Sequence, residues 1–271
     1  ALHTLLADEA VCIGPAKATD SYLNMHQIIS AAVTLQAEAI HPGFGFLSEN
    51  SKFANLCEEV GVKFIGPSAK VMDTMGDKIN ARAQMIAANV PVIPGSDGEV
   101  YDATQALEVA QKIGYPVMLK ASAGGGGKGI RKVNSQEELL PNFSSAQAEA
   151  QAAFGNGAMY MERVIYPARH IEVQILADEQ GHVVHLGERD CSLQRNNQKV
   201  LEEAPSIAIG HTLREKIGAA AVAAAKHVGY ENAGTIEFLL EESTGNFYFM
   251  EMNTRIQVEH PVTEFVTNVD I

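Results

Sequence analysis

Two strand-like runs late in the chain, Thr235-Ile-Glu-Phe-Leu-Leu240 and Phe247-Tyr-Phe-Met-Glu-Met-Asn253, each hold one carboxylate inside an otherwise apolar alternation. Burying charge is costly, so few folds accept both. A three-residue loop, Ser243-Thr244-Gly245, with glycine in the left-handed position, joins them as an antiparallel hairpin. This register sets Glu237 opposite Glu251 and leaves Asn253 two residues on, on the same face. Facing carboxylates repel unless a cation lies between them. Hard oxygen ligands of this kind suit Mg²⁺ or Mn²⁺. A strand pair on a wetted sheet face fits the same pattern without a metal.

Immediately downstream lies a polar tract, Asn253-Thr-Arg-Ile-Gln-Val-Glu-His-Pro261, in which Arg255, Gln257 and Glu259 keep the parity of Glu251 and Asn253. If extended, it delivers a cation and a candidate base next to the acids; a surface loop fits the spacing equally. Glu188-Arg-Asp-Cys-Ser-Leu-Gln-Arg195, followed by Gln198-Lys199, reads as a solvated charged loop.

A second signal is Lys120-Ala-Ser-Ala-Gly-Gly-Gly-Gly-Lys-Gly129, a glycine run between two strand-like segments. Consecutive glycines let backbone N–H groups close around phosphate oxygens with no Cβ in the way. It is neither a Walker A loop nor a dinucleotide fingerprint, both of which open a helix. A plain hairpin is the alternative. Lys120, a cation at the end of an apolar strand, favours the phosphate reading because it needs an anionic partner there.

Short strand-like runs alternate with helical patterns, the signature of an α/β or α+β fold. Strands are expected at Ala10 to Ile13, Ala39-Ile40, Lys63 to Ile65, Val117 to Ala121, Ile130 to Val133, Ala158 to Arg163, His170 to Leu176 and Val183 to Glu188, besides the late hairpin. Helices are expected near Met25 to Leu35, Ser51 to Val60, Lys78 to Asn89 and Asp102 to Gly114, with two more opened by capping boxes at Ser135/Glu138 and Thr212/Glu215. Pro91, Pro94, Gly95 and Gly98 mark a linker.

A net charge of -13 argues against nucleic acid or an anionic membrane as partner, since both need a basic face. Cys12, Cys57 and Cys191 stand far apart, which disfavours a zinc site or disulfide framework and suggests a reducing, cytoplasmic compartment. No apolar run reaches the roughly 18 residues that span a bilayer. Both ends read as cut from a longer protein, so the chain is expected to keep a nucleotide cleft yet to turn over poorly by itself.

Over nearly its whole length the sequence resembles the biotin carboxylase family of ATP-grasp enzymes. The resemblance rests on His41-Pro-Gly-Phe-Gly-Phe-Leu-Ser-Glu-Asn50, Met75-Gly-Asp-Lys78, the Lys120 to Gly129 loop, Gly187 to Arg195, and Glu251 to Pro261. It implies a partial N-terminal biotin carboxylase domain with linker over 1–90, an ATP-grasp lid over 91–164 and an incomplete ATP-grasp C-terminal domain over 165–271. Lys78 and Lys120 would hold ATP phosphates under the backbone of Gly126 and Gly127. Glu162, Arg163 and Ile165 would read adenine above Leu239, and His170 and Gln194 would contact the ribose. Glu237, Glu251 and Asn253 match the Mg²⁺ (or Mn²⁺) ligands. Lys199, Arg255 and Val258 match the bicarbonate pocket, Glu259 the general base, and Arg255 the group that stabilises the biotin enolate.

Asn197, where family members often have His, and Phe44, where Tyr is common, depart from the pattern. The implied activity is ATP- and bicarbonate-dependent carboxylation of biotin, as in acetyl-CoA carboxylase of fatty acid synthesis. Its implied partners are biotin carboxyl carrier protein, a carboxyltransferase and a second copy of the chain. Another ATP-grasp ligase, such as a carbamoyl-phosphate synthetase half, or a nucleotide-binding module without turnover, is the alternative.

Overall fold

Side chains one residue ahead of each helix fix where most helices start. In the computed structural model, which describes residues 2–122, 129–196 and 198–271, Asn24, Asn50, Ser68, Asp77 and Asp102 each accept a hydrogen bond from a backbone N–H of the following turn. The helices so opened are Met25–Thr34 (α2), Ser51–Glu59 (α3), Ala69–Gly76 (α4), Lys78–Ala87 (α5) and Ala103–Ile113 (α6); α1, Leu2–Leu6, precedes them. Helices α7 (Gln136–Phe154) and α8 (His211–Val228) lack the expected side-chain caps. Glu138 accepts from the Asn134 backbone rather than from Ser135, and Thr212 lies inside α8, which starts after Gly210. A last helix, α9 (His260–Thr267), has Pro261 in its first turn, where the missing N–H is harmless.

Three sheets result. Ala39–Ile40 (β1) and Lys63–Phe64 (β2) pair in parallel. Val117–Ala121 (β3), Arg131–Val133 (β4) and Met159–Arg163 (β5) form an antiparallel sheet in the order β4-β3-β5. Ala168–Ala177 (β6), Val183–Arg195 (β7), Gln198–Glu203 (β8), Asn232–Glu241 (β9) and Phe247–Asn253 (β10) form the antiparallel order β10-β9-β6-β7-β8.

The expected strand Ala10 to Ile13 is not one: the segment is irregular and mostly exposed, with no partner strand among the described residues. The stretch read as a solvated loop, Glu188 to Arg195, is part of β7, with Glu188, Arg189 and Asp190 buried. The linker is pinned at both ends. Phe249 N donates to Pro91 O, while Ser96 N and Val100 N donate to Met161 and Met159 carbonyls of β5.

Strand alternation divides the chemistry. On the five-stranded sheet Ile171, Val173, Ile175, Ile236, Phe238 and Leu240 join one core with Ile217, Ala221, Ala224 and Ala225 of α8 and with Met85 of α5. The intervening His170, Glu172, Gln174, Thr235 and Glu237 take the other face. The smaller sheet repeats the pattern: Val117, Leu119, Met159 and Met161 pack with α6 and α7, while Lys120, Tyr160 and Glu162 line a cleft.

Tyr230 locks one corner of the larger core. It is 1% exposed, donates to Ala233 O at 2.8 Å, and sits where a Cβ on Gly234 would meet its hydroxyl at 2.3 Å. Because the ring cannot swing out, Gly234→Ala is expected to lower stability by about 1–3 kcal/mol, read as a lower urea midpoint at unchanged slope.

Candidate active site

The polar faces of the two larger sheets open on one cleft of about 1130 Å³. Its apolar walls come from Val92, Ile93, Ile130, Leu239, Phe249 and Met250, and its charged walls from Lys78, Lys120, Glu162, Lys199, Glu237, Glu251, Arg255 and Glu259. A cleft of this size, with an apolar wall and many convergent charged groups, suits a nucleotide-sized, charged ligand.

At its centre is Lys199. Its ammonium donates to Glu172, to Glu237 Oε1 at 3.0 Å and to Glu259 Oε1 at 2.8 Å, so all three of its N–H groups are used. Burial opposes its charge, but Glu172 and Glu237 outweigh burial and hold the ammonium well above the ordinary lysine range. Glu237, 3% exposed, also meets His170 Nε2 at 2.6 Å and accepts from Asn253 Nδ2 at 2.8 Å and Gln257 Nε2 at 3.2 Å. Burial alone would raise its carboxyl. The His170 contact and the charges of His170 and Lys199 reverse this and bring it down to about 2.

Glu251 faces Glu237, although the hairpin loop holds four residues and not three, because a bulge at Met250 restores that pairing. It is exposed at the cleft surface, and no cation lies within ion-pair distance of it among the described residues. The cleft walls and the facing Glu237 charge hold its carboxyl above the usual range. Asn253 lies beside them, with its Oδ1 taken by Arg255 Nη2 at 3.2 Å. Two carboxylates and an amide oxygen, one carboxylate without a counter-ion, are the donor set a hard divalent cation takes. The residues therefore fit Mg²⁺.

A buried arginine supports this arrangement from below. Arg189 is 0% exposed and uses all five N–H groups: on Glu172, on Gln174 and Thr263 at 2.8 Å each, on Thr235 at 3.4 Å and on Gln257 at 2.8 Å. It thereby joins β6, β7, β9, the tract after Asn253, and α9. That tract is not extended. It turns after Asn253 and enters α9, and the turn places Glu259 on Lys199. Arg255 is anchored instead on Glu49, with Nε to Oε2 at 2.9 Å.

Of the residues singled out in the sequence, Lys78, Lys120, Glu162, His170, Gln194, Lys199, Glu237, Leu239, Glu251, Asn253, Arg255, Val258 and Glu259 line this one cleft. Lys120 is ion-paired with Glu162, and Gln194 bonds the His170 ring at 2.8 Å. Arg163 and Ile165 do not line it: Arg163 turns to the Tyr248 hydroxyl at 3.0 Å and to Glu241, and Ile165 is buried. Gly126, Gly127 and Asn197 lie outside the described residues. Sequence reasoning missed Glu172, Arg189 and Glu49. The first was findable, since Glu172 sits at a polar position between Ile171 and Val173 in β6.

Residues 77–271 match the family model for the carbamoyl-phosphate synthase L chain, ATP binding domain, and residues 1–72 match that for the biotin carboxylase N-terminal domain. The chain is 60% identical over all its 271 residues to a biotin carboxylase of Nostoc sp. and spans 60% of that protein's length. A crystal structure of a biotin carboxylase–ATP-analogue complex from Campylobacter jejuni superposes with a TM-score of 0.91 at 51% identity, over all of this chain and 60% of that one. The biotin carboxylase domain dimer of Hydrogenobacter thermophilus 2-oxoglutarate carboxylase, in complex with MgADP, ADP and bicarbonate, gives 0.87 at 54% identity, over 99% of this chain and 59% of that one. The fold is thus the mixed α/β ATP-grasp fold of those proteins.

Removing Arg189 strands a buried carboxylate and four polar groups at once. Arg189→Leu is therefore expected to destabilise the protein by about 3–5 kcal/mol in urea unfolding, against an effect within about 0.5 kcal/mol for the exposed Lys112→Leu.

Proposed function

Because the chain belongs to the biotin carboxylase family, we propose that it is the ATP- and bicarbonate-using core of a protein that carboxylates biotin. It spans about 60% of the length of the relatives it matches, so the activity is that of the longer parent. The observation that carries the reading is Lys199: one ammonium joins the candidate base Glu259 to Glu237, whose strand partner is Glu251. A nucleotide site alone needs no base there.

In this reading Lys78 and Lys120 hold the phosphates beneath a lid formed by 91–164, and Leu239 packs under the adenine. Glu237, Glu251 and Asn253 would hold Mg²⁺, which when bound screens the charge that spreads over the phosphoryl oxygens. A bicarbonate oxygen attacks the γ-phosphorus, giving carboxyphosphate and releasing ADP. Lys199 and Arg255, with the Val258 backbone, hold the bicarbonate. Carboxyphosphate breaks down to CO₂ and phosphate inside the cleft, where exclusion of water protects both.

Glu259, or the released phosphate, then takes the proton of the biotin ureido nitrogen, and that nitrogen attacks CO₂. Arg255 is planar and permanently charged, so it serves bicarbonate first and the biotin enolate oxygen next. The biotin would arrive on a carrier protein, the carboxyl group would leave through a separate transferase, and two copies of the parent would pair. Three unpaired cysteines, two of them buried, suit a reducing compartment such as the cytoplasm. No helix among the described residues is long and apolar enough to cross a membrane.

Calorimetry on the chain tests the nucleotide half. Lys120→Ala is expected to weaken Mg-ATP binding by about tenfold or more, the scale of one lost charge-assisted contact, and Glu259→Gln to leave it unchanged. In the full-length parent, free biotin is expected to stimulate ATP cleavage, and Glu259→Gln to abolish carboxylation. Biotin-independent cleavage would mean another ligase, and binding without cleavage a nucleotide module.

A further inference from the structure

Beside Lys199, strand β8 carries one more acid, Glu202. A bulge at Val200 brings it there: Gln194 pairs with Lys199 but Leu193 with Leu201, so one extra residue lies between. The bulge turns Lys199 and Glu202 to the same face and leaves Val200 and Leu201 outside, exposed. Carboxylate oxygens of Glu202, Glu172 and Glu259 all lie within 4.8 Å of one another.

Two of these acids are matched and one is not. Glu172 is held by Arg189 and Lys199, and Glu259 by Lys199. Both Glu202 oxygens are buried and accept no hydrogen bond among the described residues. Neither neighbouring cation can serve them, because the three N–H groups of Lys199 and the five of Arg189 already have other acceptors. Lys199 also fills the place a metal would take among the three acids. A buried, unpartnered carboxylate beside two others that are held in ion pairs relieves its cost by taking up a proton.

We propose that Glu202 is the proton-bearing member of this trio, and that its neutral form leaves the Lys199 ammonium to Glu172, Glu237 and Glu259, so that the candidate base Glu259 stays held in the cleft. Glu202 is thus a positioning residue acting through Glu259, and the inference rests on the reading of Glu259 as the base. The groups around it agree. Burial first, then the charge of Glu172, push Glu202 up to about 7, with Glu259 adding to the rise and Lys199 and Arg189 opposing it. The Cys191 thiol beneath is itself driven far up by burial and adds no charge. As the pH passes 7, loss of the Glu202 proton adds a fourth carboxylate competing for Lys199, and Glu259 loses its hold.

Titration of the chain by NMR of ¹³C-carboxyl-labelled glutamate tests this without ATP or turnover, so its failure is separable from failure of the carboxylase reading. One glutamate is expected to titrate near pH 7, to vanish from the spectrum in Glu202→Gln, and to shift to lower pH in Glu259→Gln, where a neighbouring charge is gone. A structural role alone would not move that midpoint. The wild-type spectrum stands even if a variant folds poorly: no glutamate titrating above about pH 6 overturns the proposal. So does a high midpoint that persists in folded Glu202→Gln, or one that stays put in Glu259→Gln.

Discussion

One ammonium group organises the cleft side of this molecule. Lys199 reaches Glu172 on β6, Glu237 on β9 and Glu259 at the entry to α9, so elements distant in sequence are fixed on a single positive charge. The charge is stable there because the surrounding carboxylates more than offset its burial. Arg189, one layer deeper, binds the same carboxylate Glu172 and the same tract through Gln257. The two cations form a stack that the sheet cannot lose without leaving acids buried and unpaired.

From this constraint the rest of the site follows. With Lys199 committed to three acids, Glu251 is left facing Glu237 without a cation of its own among the described residues, which is the reason a divalent ion suits the pair. With both cations' donors exhausted, Glu202 is left without a partner. The same strand alternation that sends Ile171, Val173 and Ile236 to the core under α8 sends His170, Glu172 and Glu237 to the cleft. Core and site are two faces of one sheet, so packing errors on one face would displace ligands on the other.

Much of this was legible because periodicity reports burial. The facing of Glu237 and Glu251 followed from alternation, although the loop holds four residues, 242–245, since Glu241 N bonds Asn246 O. A bulge at Met250 restores the register that a three-residue loop would have given. Bulges are hard to see in a sequence because nothing in the residue types marks them. For the same reason β8 was not read as a strand: the Val200 bulge breaks its alternation. Glu188 to Arg195 has the charge density of a solvated loop, yet its partners lie on β6, on α8 and in the segment after β8. Arg255 was placed beside the acids by parity, yet a turn rather than an extended chain puts it there, with Glu49 as its anchor.

The face presented by Glu237, Glu251 and Asn253 is proposed to take a divalent cation carrying nucleotide phosphates. Crystals grown with Mn²⁺ and a non-hydrolysable ATP analogue would test it through the anomalous scattering of manganese. A peak is expected within about 2.0–2.6 Å of carboxylate oxygens of both Glu237 and Glu251, the distance range of hard-cation coordination. A nucleotide bound in the cleft with manganese elsewhere, or with the two carboxylates still facing each other and no metal between them, would contradict it.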